Sequence, residues 1–124
     1  MDELVEVRVP RRVDKPWGYE LLWAETELYI GKILHVNAGE ALSLQYHEEK
    51  DETLFVLSGE LRLEIGPLGG ELRELHMRAQ DSCRVLPGMV HRTVAITDCD
   101  ILEASTPHLH DLVRLDDRYG RLDS

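Results

Sequence analysis

The sequence predicts an all-β fold, a small antiparallel barrel or jelly roll, on three observations. Apolar residues recur at every second position or in short runs through most of the chain. Turn-forming clusters punctuate these runs at intervals of roughly 8–12 residues, the spacing of a sandwich or barrel. No stretch combines a helical start, a helical stop and a 3.6-residue period.

In chain order, VEVRV at 5–9 alternates valine with charge and predicts a first strand. PRRVDKPWG, with Pro10 and Pro16, reads as an irregular arm leading into the body. YELLW at 19–23 and LYIGKILHV at 28–36 are strand-like and stop at the turn Asn37-Ala38-Gly39. Gln45 and His47, two apart, share one face of a strand. The acidic turn EEKD then predicts a hairpin, with Glu52 opening the returning strand TLFVLSG at 53–59. ELRLEIG at 60–66 and ELRELHM at 71–77 flank the turn Gly66-Pro67-Leu68-Gly69-Gly70. CRVLP at 83–87 ends at Pro87-Gly88, HRTVAIT follows at 91–97, and DILEAST at 100–106 comes after Thr97-Asp98-Cys99-Asp100. The tail HLHDLVRLDDRYGRLDS is irregular or holds a helical turn. There is no internal repeat or linker, and residues 1–124 read as one domain large enough for a core.

Charge narrows the partners. With 14 Lys+Arg against 24 Asp+Glu the net charge is -10, which argues against nucleic acid or an anionic membrane. An anionic ligand would need local cations to overcome that field. No run reaches the ~18 apolar residues of a membrane span. The N-terminus carries acids where a signal peptide carries Lys or Arg. Cys83 and Cys99 are too few for a disulfide scaffold and form no Cys-x-x-Cys pair. A reducing, cytoplasmic location is expected.

Gln45, His47 and Glu52 can be aimed at one point, and His91, opening a strand after the Leu86-Pro87-Gly88 turn, is the natural fourth member. An amide oxygen, two imidazoles and a carboxylate suit one divalent transition metal: Zn, Mn, Fe or Ni. One carboxylate leaves the centre with a net positive charge that would attract an anionic oxygen. His35 and His76 read as structural. His108-x-His110 has metal-compatible spacing but lies in a polar tail.

These motifs resemble the cupin superfamily. Gly39, Gln45-x-His47, Glu52 and Gly59 follow its first motif, with Gln in the place of a His. Gly88 and His91 fit the second, where Pro87 is displaced by one, Gln80 stands for a Gly and Ala95 for an Asn. Ser43-Leu44-Gln45-Tyr46-His47 is similar to the corresponding segment of phosphomannose isomerases. Lys15-Pro16-Trp17-Gly18, Lys32, His91-Arg92 and the run from Asp111 to Arg121 resemble the cupin domain that ends bifunctional mannose-1-phosphate guanylyltransferase/phosphomannose isomerases. The likeness spans about Val13 to Arg121; the nucleotidyltransferase half has no counterpart.

The resemblance implies a single cupin jelly roll and a metal held by Gln45, His47, Glu52 and His91. It implies a metal-dependent aldose–ketose isomerase acting on a sugar phosphate, most like mannose-6-phosphate isomerase. Lys50 and Arg114 are its catalytic candidates, and Lys32 and Arg92 the candidates for holding phosphate. The alternative is a metal-containing cupin that binds a sugar or metabolite without turnover; a cupin dioxygenase fits less well, because Gln45 replaces a His of the usual iron site. A homodimer through edge strands is also expected, with Trp17 and Trp23 in the core or at the contact.

Overall fold

The structure, a computed structural model, describes residues 5–122. Eleven strands follow one another: β1 (Arg11–Lys15), β2 (Gly18–Glu25), β3 (Ile30–Val36), β4 (Leu44–Tyr46), β5 (Glu52–Ser58) and β6 (Glu60–Gly66), then β7 (Arg73–Arg78), β8 (Ser82–Val85), β9 (Val90–Ala95), β10 (Cys99–Ser105) and β11 (Val113–Asp116). They form two sheets, β1-β2-β3-β10-β5-β8 and β11-β4-β9-β6-β7, antiparallel at every pairing. No helix among the described residues is long and apolar enough to cross a membrane.

The alternation read from the sequence sets the two inner faces. In β10 the buried positions are Cys99, Ile101, Glu103 and Ser105, and in β5 they are Glu52, Leu54 and Val56. Burying alternate residues of each strand against the facing sheet is the arrangement of a β-sandwich core. Leu34, Val36, Val56, Leu61, Leu63 and Ile101 form its centre, all at most 3 % exposed. Each such side chain contributes roughly 1.5–3 kcal/mol of burial. Trp17 belongs to this core, whereas Trp23 is half exposed. Trp23 sits where the β2–β3 register slips between Leu22 and Ala24, and its ring covers Gly31.

Four expectations need correction. Residues 5–9 form no strand; Val5, Val7 and Val9 are exposed, and the first strand instead arises inside the expected irregular arm. There Val13 pairs with Glu20, so backbone pairing to β2 overrides the two flanking prolines. The tail holds β11, not a helical turn, because Val113 and Arg114 pair with Tyr46 and Gln45. Finally, β4 and β5 are not a hairpin. They lie in different sheets, so the EEKD turn, exposed at Glu48 and Glu49, carries the chain from one sheet to the other.

Gln80 is the one non-glycine with positive φ among the described residues, at 78°. This left-handed conformation costs a residue with a Cβ about 1–2 kcal/mol, and the position is where the cupin motif places glycine. Gln80→Gly is therefore expected to stabilise the fold by about 1 kcal/mol, read from the urea midpoint. An unchanged or lower midpoint would contradict it.

Candidate metal centre

The site is built across the gap between the sheets. His91 lies on β9, and the register pairs it with Gln45 on β4, which in turn pairs with Arg114 on β11. These three thus form one row across the five-stranded sheet. Glu52 opens β5 on the opposite sheet, facing Ser105 of β10. His47 lies just beyond β4, in the segment that crosses over.

His47, Glu52 and His91 converge, each at most 6 % exposed. One ligand atom from each lies within 4.8 Å of the others. His47 Nε2 is 3.6 Å from Glu52 Oε2, and His91 Nε2 is 3.4 Å from Glu52 Oε1. The other ring nitrogens point away and are anchored. His47 Nδ1 donates to the Asp111 carbonyl at 2.5 Å, and His91 Nδ1 to the Met89 carbonyl at 3.1 Å. Those acceptors place a proton on Nδ1 of both rings, so each Nε2 faces inward and, once deprotonated, presents its lone pair there, the orientation of metal-binding imidazoles. Burial lowers the His47 pKa, against the opposing charge of Glu52.

Glu52 is almost wholly buried, yet its Oε2 makes no hydrogen bond. Lys50 Nζ stands 3.0 Å away, an ion-pair distance without hydrogen-bond alignment. A buried acceptor with spare capacity beside two inward-facing Nε2 atoms fits a divalent cation. Gln45 is adjacent: its amide nitrogen lies 3.5 Å from His47 Nε2, while its oxygen accepts from Ser43 Oγ at 2.6 Å. A half-turn of the amide would present the oxygen instead and let the nitrogen donate to Ser43.

Lys50 is also buried, and its Nζ lies 3.0 Å from both Glu52 and Glu103. Burial opposes its charge, but Glu103 and then Glu52 outweigh this and hold the pKa above the ordinary lysine value. For Glu52, burial works the other way; His91, Lys50 and His47 together hold its carboxyl below the usual range. Glu103, whose Oε2 also accepts from Ser105 Oγ at 3.1 Å, was missing from the sequence-based set. Its signal was a charge at a core-parity position, between buried Ile101 and Ser105.

A cavity of about 280 Å³ adjoins this cluster, lined by Lys32, Lys50, Gln45, His47 and Arg114 among others. Arg92 does not line it. It follows His91 on β9, so alternation turns it to the other face, where it pairs with Glu64 at 2.8 Å and Asp116 at 3.5 Å. Of the His108-x-His110 pair in the tail, His110 lines the cavity, whereas His108 bonds Thr106 and lies 3.4 Å from Glu49.

The tail forms part of the cavity wall through Leu109, His110, Leu112, Arg114 and Arg121. Asp111 fastens it by accepting the backbone N–H groups of Glu48, Glu49 and Lys50 at 2.6–2.9 Å. Arg118 donates to the Gly39 carbonyl, and Tyr119 Oη donates to Glu40. Arg121 forks onto Asp117, which holds that carboxyl down at about 2. A depressed carboxyl stabilises the folded state above its unfolded pKa, near 3.9, and loses that contribution as pH falls toward about 2. The NMR shift of the Arg121 amide, 2.8 Å from Asp117 Oδ2, should therefore titrate with a midpoint at about 2, below the ordinary carboxylate range. A shift titrating nearer neutrality would contradict this.

Comparison with known protein families matches residues 32–105 to the Cupin domain. The chain belongs to the cupin family. As a cupin it is similar to the mannose-1-phosphate guanylyltransferase ManC of Salmonella typhimurium, 31% identical over 122 residues. A mannose-1-phosphate guanylyltransferase of Escherichia coli is 30% identical over 122 residues. Both matches cover 94% of this cupin but only 24% of the relative, so the chain spans about a quarter of those proteins. Among solved structures, KdgF from Halomonas sp. superposes with TM-score 0.67 at 20% identity, covering 78% of this chain and 87% of that one. CapF from Staphylococcus aureus reaches 0.76 at 15% identity, over 87% of this chain and 34% of its own. Oxalate decarboxylase reaches 0.76 at 19% identity, over 92% and 36%. These three likenesses concern the fold.

Proposed function

We propose that this cupin is a metal-dependent aldose–ketose isomerase acting on a sugar phosphate, most like mannose-6-phosphate isomerase. The observation that carries the reading is the buried convergence of His47, Glu52 and His91 beside Lys50, with His47 and Lys50 lining the adjoining cavity. The similarity to mannose-1-phosphate guanylyltransferases supports a sugar-phosphate substrate.

Aldose–ketose interconversion moves a proton between neighbouring carbons and builds negative charge on oxygen. A divalent metal held by His47, Glu52 and His91, with the Gln45 amide oxygen as a further donor, would supply Lewis-acid stabilisation of that charge. Lys50 retains its proton between two carboxylates and is suited to hydrogen-bond a substrate oxygen as donor. Glu103, one of two cavity-lining carboxylates, would receive the proton, with Ser105 and Lys50 fixing its orientation. Arg114, in the same register row as Gln45, is placed to hold the substrate from the tail side.

The test is conversion of mannose 6-phosphate to fructose 6-phosphate by protein loaded in turn with Zn, Mn, Fe and Ni. Turnover abolished by Glu103→Gln is the expected result; no turnover with any of the four removes the isomerase reading. The tight Glu52–Lys50–Glu103 network favours one alternative, a cupin that binds a sugar without turnover. Saturable sugar binding in the absence of isomerisation would select it.

A further inference from the structure

The chain is acidic overall, with a net charge of -10, yet its cavity is basic. All three lysines of the sequence, Lys15, Lys32 and Lys50, line it together with Arg11, Arg114 and Arg121. The acids among the lining residues are Glu20 and Glu103. Six of the 14 cationic side chains thus face a space shared with two of the 24 acids.

The cations differ in what balances them. Lys50 is neutralised by Glu52 and Glu103, Lys32 lies 3.6 Å from Glu20, and Arg121 forks onto Asp117. Lys15, half-buried at the end of β1, makes no ion pair among the described residues. Burial lowers the pKa of its ammonium; Glu20 opposes this, while Lys32, Arg121 and Arg114 lower it further. Like charges from β1, β3 and the tail are therefore held close enough to repel one another around one concavity. An anion entering there would relieve that repulsion.

We propose that Lys15, Lys32, Arg114 and Arg121 bind a doubly charged oxyanion, the phosphate-monoester end of a small ligand whose other end faces Gln45 and His47. Tetrahedral oxygens are met from several directions by lysine point charges and arginine forks. Arg114 and His91 flank Gln45 in the register row. With neighbouring strands about 4.8 Å apart, that row spans about 10 Å, a distance a small phosphorylated sugar can bridge. The inference rests on the proposed function for the ligand's other end, but the oxyanion site itself can be tested without metal or turnover.

Metal-free protein is titrated with inorganic phosphate, mannose 6-phosphate and mannose by calorimetry. Saturable phosphate binding is expected, tighter for mannose 6-phosphate and absent for mannose. Lys15→Met should weaken phosphate binding about tenfold or more, Lys15→Arg should preserve most of it, and Arg73→Met, on exposed β7, should leave it unchanged. No saturable phosphate binding would overturn the site, as would wild-type affinity in Lys15→Met or a loss produced by Arg92→Met instead. Equal affinity for inorganic phosphate and mannose 6-phosphate would overturn the assignment to a ligand's monoester end. Phosphate binding without isomerase turnover would remove the enzymatic reading and leave the oxyanion site standing. Turnover with an unchanged KM in Lys15→Met would do the reverse.

Discussion

Replacing Lys50 with methionine is expected to destabilise the metal-free protein by about 3–5 kcal/mol. The Lys50 ammonium is buried, with Glu52 and Glu103 each 3.0 Å from it. Methionine fills much of the same volume but leaves two buried carboxylates facing one another without their common counter-ion. A buried charge stripped of its partner costs far more than the pair contributes in place. Glu103→Gln in the same background removes one of the two orphaned charges and should restore part of the loss. Urea denaturation reads both, and a loss below about 1 kcal/mol would mean that the triad behaves as a surface pair. The sign of its pH dependence follows from the shifts. With the Lys50 pKa raised, its contribution is complete below the ordinary lysine pKa and declines only above that range. With the Glu52 pKa lowered, its contribution is complete above the ordinary carboxylate pKa and declines on acidification below it. Stability from this network should therefore be flat across neutrality.

Glu52→Gln and His91→Ala are each expected to lower divalent-metal affinity by more than about 100-fold, beyond the 10–100-fold typical of residues that merely orient ligands. Glu52 is the one carboxylate in the cluster, lies within 3.6 Å of both imidazoles, and carries an oxygen without a hydrogen bond. His91 presents Nε2 because its Nδ1 is tied to the Met89 carbonyl. Competition against a chromophoric chelator measures the affinities, and retention of wild-type affinity by Glu52→Gln would dismantle the proposed centre. Asp111 offers a graded comparison. Its carbonyl anchors His47 and its carboxylate gathers the turn from Glu48 to Lys50. Asp111→Ala keeps the carbonyl and should produce a smaller loss than either ligand substitution.

Much of this was legible because β-structure writes itself in alternation. Nine stretches between Tyr19 and Thr106 were placed as strands or strand-forming segments, and the inward parity of Glu52 and His91 followed from that period. What escaped depended on which strand pairs with which. A short acidic turn between Gln45 and Glu52 looks like a hairpin, yet it carries the chain from one sheet to the other. The alternation at Val5, Val7 and Val9 has the pattern of a strand but finds no pairing among the described residues, whereas Arg11–Lys15, less apolar, pairs with β2. Arg92 enters the expected set through the His91-Arg92 resemblance, although adjacent strand residues face opposite ways. Glu103 was hidden because a carboxylate in a strand reads as solvated until its neighbours are known to be core.

The unlike settings of the two tryptophans make the protein its own optical probe. Trp17 is buried and borders the cavity, whereas Trp23 is half exposed over Gly31 on the outer side of the β2–β3 pair. Acrylamide should quench the Trp23 emission readily and reach Trp17 poorly. A Trp23→Phe variant would leave a single tryptophan, beside the cavity, so its emission could follow ligand arrival in real time without any attached label.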